Sequence, residues 1–158
     1  MMRTVLAAAS LLALAACAGP PDAAPTTGQP APPSADAQGL TCDDAPVEVV
    51  GAALRLRVNH PRQTISGNVV RCAYDGGTTE VRFRTGADAA SFAAGRGAHA
   101  QVTDLPGFHD EAYRATEVAG EVVRTAVVAR AGAVEITVTS GATAEQAQRL
   151  IDDLFAAL

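Results

Sequence analysis

The 158-residue chain contains no tryptophan and no lysine, only two tyrosines, four phenylalanines and three cysteines. With Ala and Val prevailing over large rings, a filled core of small aliphatic side chains is the default expectation. Past the first residues no long apolar run occurs, so no second membrane segment is expected. Positive charge is not in excess either. From Thr41 to Leu158 there are 15 acidic and 11 basic residues, a mild acidity that argues against a general nucleic-acid binder.

What is present begins with a targeting signal. One arginine, Arg3, precedes an apolar stretch from Val5 to Ala16, which is too short for the roughly 20 residues a bilayer span requires. This is the layout of a secretory signal over residues 1–16. Its end, Leu14-Ala15-Ala16-Cys17, resembles the bacterial lipobox. That resemblance implies diacylglyceryl transfer to the Cys17 thiol, cleavage before Cys17, and a lipid-anchored protein on the outer side of the cell membrane. Each buried CH₂ contributes about 0.8 kcal/mol, so two or more acyl chains anchor stably where one does not. The competing reading is an ordinary cleaved signal whose site falls beside a cysteine.

Residues 17–40 then form a tether. Ala18 to Leu40 carries six prolines and has Leu40 as its sole large apolar side chain. Such a segment buries too little to offset its ordering entropy and is expected to be disordered and partly extended, with a reach of about 70 Å. A single domain is expected over 41–158.

With Cys17 assigned to lipid, Cys42 and Cys72 remain as an even pair in an oxidising compartment, which points to one disulfide. A free reactive cysteine is the alternative. Only Arg71 adjoins either thiol with positive charge, and on a strand it points to the opposite face.

The expected elements follow from periodicity. Asp43-Asp44 before Ala45-Pro46 marks a helix start, with Val47, Val50, Leu54 and Val58 at helical spacing and Asn59-His60-Pro61 as the stop. "VVRCAY" and "TTEVRF" alternate around Asp75-Gly76-Gly77 and read as a hairpin. An Asp75-Gly76 turn sets Arg71 opposite Glu80, whereas a Gly76-Gly77 turn sets it opposite Arg82. Charge pairing and the strength of Asp-Gly as a turn signal favour the first register. A short helix around Phe92 and a loop "VTDLPGFHD" come next. Three alternating stretches follow, Glu111–Val118, Glu121–Arg130 and Ala133–Thr139, with Ile136, Val138, Val127 and Ala129 on one face. Thr143 and Gln146 make a capping box for a last helix with Leu150, Ile151, Leu154, Phe155 and Leu158 as its apolar stripe. The expected class is α+β: an antiparallel sheet of about five strands covered by N- and C-terminal helices.

This layout resembles a large group of actinobacterial lipoproteins with a single domain of unknown function, related in arrangement to extracytoplasmic sensor domains of actinobacterial kinases. The residues carrying the likeness are Cys17 and the Pro-rich tether, "CDDAPVEVVG", "VVRCAYDGG", "LPGFHDEAY" and the ending "VEITVTSGATAEQAQRLIDDLFAAL". Tyr74 stands where such proteins often have Trp, and Phe108-His109 is an insertion in the loop. The resemblance implies fold and location, and it brings no catalytic residues or cofactor with it.

Catalytic and metal signals are thin. His99, Asp104, His109 and Asp110 are ligand types, but their spacing matches no compact zinc signature. Ser91 and Ser140 lie in no nucleophile elbow. The acid pairs Asp110-Glu111 and Asp152-Asp153 read as solvated. No catalytic residue, metal or cofactor is therefore assigned. Arginine is the informative residue: six lie between Arg55 and Arg84, against two acids. With Arg71 paired to Glu80, Arg82 and Arg84 remain as candidate contacts for an anionic ligand or partner. The expected function is a non-catalytic envelope lipoprotein that binds an unidentified envelope protein or ligand. The alternative is a carrier of an apolar molecule between sheet and helices, in a cavity lined by residues such as Phe83, Phe92 and Phe155.

Overall fold

The computed structural model describes residues 39–158; Cys17, the signal and most of the tether lie outside them. A 3₁₀ turn, Cys42–Asp44, opens the domain, capped by Thr41 in a box with Asp44. Helix α1 (Val47–Leu54) starts after Pro46, whose missing amide is not needed at a helix start. Its end comes four residues earlier than the spacing of Val58 suggests. Arg55 turns left-handed (φ 55°) and Leu56 N–H closes onto the Gly51 carbonyl at 3.1 Å. A Cβ on Gly51 would stand 3.1 Å from the Leu56 carbonyl oxygen, so this sharp exit favours glycine there.

Strands β1 (Arg62–Ser66), β2 (Val69–Tyr74) and β3 (Thr79–Thr85) follow, then α2 (Ala89–Gly97), β4 (Val102–Asp104), β5 (Glu111–Ala119), β6 (Val122–Ala131), β7 (Val134–Ser140) and α3 (Ala144–Ala157). All seven strands form one antiparallel sheet in the order β1-β2-β3-β7-β6-β5-β4. The class is α+β, with two more strands than the five expected. Both additions are sheet edges. Every residue of β1 is exposed, so it shows no alternation of burial, and β4 is three residues of what reads as a loop.

The hairpin register also differs from expectation. Arg71 pairs with Arg82, and Glu80 lies opposite Ala73. Asp75–Gly77 form one 3₁₀ turn in place of a two-residue Asp-Gly turn. The Asp75 carboxylate is taken by Asn59, whose backbone N–H and side-chain amide donate to it at 3.1 and 2.8 Å. A contact from outside the hairpin thus accompanies the 3₁₀ turn. Arg71 still finds Glu80, diagonally, with Nε 2.6 Å from the carboxylate.

One face of the sheet carries the main core. Val70, Cys72 and Tyr74 of β2, Val81 and Phe83 of β3, Ile136 and Val138 of β7, and Val127 and Ala129 of β6 are buried there. Over them lie Val50 and Leu54 of α1 and Leu150, Ile151 and Leu154 of α3. The α3 stripe is as expected except at its end, where Leu158 is half exposed. Gln146, besides closing the capping box with Thr143, donates to the Leu54 carbonyl at 2.9 Å and joins the two helices. On the opposite face α2 places Phe92 against Tyr113, Ala115, Ala126 and Val128. The rings of Phe92 and Tyr113 meet edge to face, 5.2 Å apart.

Cys42 and Cys72 form a disulfide that fastens the opening turn to β2, with Cα atoms 5.6 Å apart. Two further bonds secure the same turn: Cys42 N–H donates to Gln63 at 2.8 Å, and the Tyr74 hydroxyl donates to the Ala45 carbonyl. Burial pushes the Tyr74 phenol up to about 12. Closing a loop of this length contributes about 3–4 kcal/mol in the chain-entropy model. The Cys42→Ala/Cys72→Ala double variant is therefore expected to lose about 3–4 kcal/mol in urea denaturation. A loss well under 1 kcal/mol would show that the surrounding packing, and not the covalent link, holds this turn.

Candidate functional site

The cross-strand pairings set a single row of side chains across the face opposite α1 and α3: Thr64, Arg71, Arg82, Thr137, Val128 and Tyr113, from β1 to β5. The row changes character midway. Val128 and Tyr113 are apolar and buried against Phe92 of α2. Thr64, Arg71, Arg82 and Thr137 lie on the β1-β2-β3-β7 side, which belongs to neither apolar cluster. A groove of about 580 Å³ continues this polar part to the sheet edge, bounded by His60, Arg62, Thr64, Arg71 and Asp75. A larger groove of about 740 Å³ lies elsewhere, at the start of α3, where Arg114 and Glu145 bring both signs of charge. We place the candidate site on the arginine face, where cations gather.

The arginines there are not equivalent. Arg71 is held by Glu80, whose hydrogen bond and charge favour the protonated guanidinium further. Arg84 lies 3.4 Å from the carboxylate of Glu135, a residue only 3% exposed. Arg124 bonds Glu117 and the Gly77 carbonyl, and Arg130 bonds Asp110 and Glu111. Among the described residues Arg82 makes no ion pair, and its Nε is buried without a hydrogen-bond partner. Thr137, beside it on β7, is 5% exposed and its hydroxyl is also unpartnered. Of the two arginines singled out from sequence, Arg84 is paired within the fold and Arg82, among the described residues, is not.

Glu135 shows how the face is balanced. Burial raises its carboxyl above the ordinary 4.5, and the opposing pull of Arg84 and Arg82 is not enough to reverse this. Burial also raises Tyr113, to about 12, with the Glu135 charge adding to the effect.

The other residues noted from sequence have separate duties. His99 lies beside the Tyr113 ring, centroids 5.7 Å apart, and Asp104 pairs with Arg96 at 2.9 Å. His109 adopts φ 54° with its ring against Phe108 and Phe155; its Nε2 is 3.0 Å from Asp152 but off hydrogen-bond alignment. Asp110 accepts the Gly132 N–H at 2.8 Å. Among the described residues no group of three or more His, Cys, Asp or Glu is disposed to hold a metal. Ser91 completes the Asp88 capping box of α2, and Ser140 accepts the Ala142 N–H. Phe83 belongs to the core under α1 and α3, with Phe155 packed against it, whereas Phe92 is on the far face of the sheet. These three rings do not line a common chamber.

Signals for Thr137 and Glu135 were absent from sequence, because both sit in "VEITVTS" as ordinary outward strand positions. Comparison with protein-family models, curated proteins and solved structures gives no match for this chain.

Glu135 yields a pH test. Because its folded value is raised, the stability it lends is fully present below the ordinary 4.5 and is lost as pH rises through the raised value. Glu135→Gln is expected to be as stable as the parent or more so near neutrality, with the gap narrowing as pH falls toward the ordinary 4.5. Arg84→Ala strands the buried acid and is expected to cost about 3 kcal/mol near neutrality, recovering toward acid pH. Urea denaturation across this pH range measures both.

Proposed function

We propose that the chain is a lipid-anchored, extracytoplasmic binding module of the cell envelope, held through Cys17, with no catalytic role of its own. Its ligand or partner is an anionic group received on the arginine face, with Arg82 as the principal contact. The observation that carries this reading is the unpaired Arg82 next to the unpartnered Thr137 hydroxyl, on the part of the sheet outside both apolar clusters. Arg82 as a whole is only part-buried, so its guanidinium, which no carboxylate among the described residues neutralises, can donate charge-assisted hydrogen bonds to an incoming oxyanion.

Location is supported separately. The Cys42–Cys72 disulfide suits an oxidising compartment, and no helix among the described residues is long and apolar enough to cross a membrane. The lipid on Cys17, outside the described residues, is the proposed membrane attachment. The likeness to actinobacterial lipoproteins points the same way.

Metabolic labelling with palmitate should mark the parent and not Cys17→Ala. Separately, Arg82→Glu in the full chain is expected to weaken retention on phosphatidylglycerol vesicles or an acidic wall polymer severalfold, with a smaller fall in melting midpoint than Arg84→Glu gives. Arg84→Glu is expected to lower the midpoint further, by setting a second acid beside Glu135. Retention unaffected by Arg82→Glu on both supports would refute the anion reading and leave the anchoring question to the label.

A further inference from the structure

The helical layer carries a second surface, on the other side of the sheet and of opposite sign. Along α1, Pro46, Val49 and Ala52 follow at intervals of three, and along α3 Leu154 and Ala157 do the same. Together they form the apolar floor of a groove of about 560 Å³. Its rim is entirely acidic: Asp43, Asp44 and Glu48 from the α1 side, and Asp153 from α3. Among the described residues no basic side chain lines it. Asp44 is engaged in capping at Thr41, but Asp43, Glu48 and Asp153 form no ion pair among the described residues.

The composition of the strand of chain that builds this surface makes the bias plain. Between Thr41 and Leu54 there are three acids and no base, and the second half of α3 supplies Asp152 and Asp153. Asp152 faces His109, which leaves Asp153 to the groove.

We propose that this groove is a docking site for a basic amphipathic helix of a partner protein. Two features select that occupant. Rows of side chains at intervals of three on adjacent helices leave a furrow that receives the ridge of a third helix, and the small Ala52 and Ala157 allow a close approach. The rim then selects for charge: Lys or Arg flanking the apolar stripe of the incoming helix meets Asp43, Glu48 and Asp153, whereas an acidic or neutral helix does not. The site is independent of the anion-binding reading, since it lies on the other side of the sheet and takes the opposite charge.

The test uses the full chain and a short amidated helix-forming peptide with Leu and Ala on one face and Lys on the other, read by fluorescence anisotropy. Binding is expected to weaken about tenfold in Glu48→Gln/Asp153→Asn, and to a similar degree in Ala52→Glu, which puts a charge on the apolar floor. Glu121→Gln, which removes an exposed acid far from the groove, should leave affinity within about twofold. Circular dichroism confirms that each variant is folded, and amide shift mapping should place the peptide on α1 and α3. The proposal fails if the groove variants bind as the parent does, if Glu121→Gln weakens binding equally, or if the shifts fall elsewhere. It also fails if sedimentation shows a dimer of this chain that Ala52→Glu abolishes, since the groove would then belong to a second copy.

Discussion

Side-chain alternation along β2, β3, β6 and β7 places every second residue beneath α1 and α3, and the remaining architecture depends on that burial. Val70, Cys72, Val81, Phe83, Val127, Ile136 and Val138 all fall on one side because the strand period is two. The same constraint sends Arg71, Arg82, Arg84, Glu135 and Thr137 to the other side with no freedom to turn inward. A slip of one residue would put arginines under the helices, so the register is strongly specified even where the turn that joins two strands is not. The opening turn is bound to this layer three ways, through the disulfide, Gln63 and the Tyr74 hydroxyl.

Coverage of the sheet is offset. The main core lies over β2, β3, β7 and β6 on one face, while α2 covers β5 and β6 on the other. Polar rows across β1, β2, β3 and β7 are thereby left without an apolar layer. Their members are mutually neutralised in pairs, Arg71 with Glu80 and Arg84 with Glu135, and the burial of Glu135 offsets part of what its pairing gains. Among the described residues Arg62 on β1 and Arg82 on β3 are the cations of this face left over from the pairing. The cross-strand neighbours of Arg82 are Arg71 and Thr137, neither of which supplies an acceptor carboxylate.

Two grooves of opposite character result: one between α1 and α3 with an acidic rim, and one on the exposed sheet face bounded by Arg62 and Arg71. For a domain of net negative charge, such separation permits two partners of opposite sign to approach without competing for one surface.

Local pattern in the amino-acid order was enough for the five inner strands, α2 around Phe92, the capped α3 and the Cys42–Cys72 pairing, because alternation, caps and cysteine parity are short-range signals. The edge strands were not legible: β1 is exposed throughout and β4 is three residues, and each exists only because a neighbour offers hydrogen bonds to it. The hairpin register, with its 3₁₀ turn held to Asn59, differs from the one local turn preference favours, and α1 ends where Leu56 closes on Gly51. Sequence could nominate Arg82 and Arg84 together. Only the pairing of β3 with β7 distinguished them, by bringing Glu135 to Arg84 and Thr137 to Arg82, because a charge partner 51 residues away is set by the fold and leaves no trace in spacing.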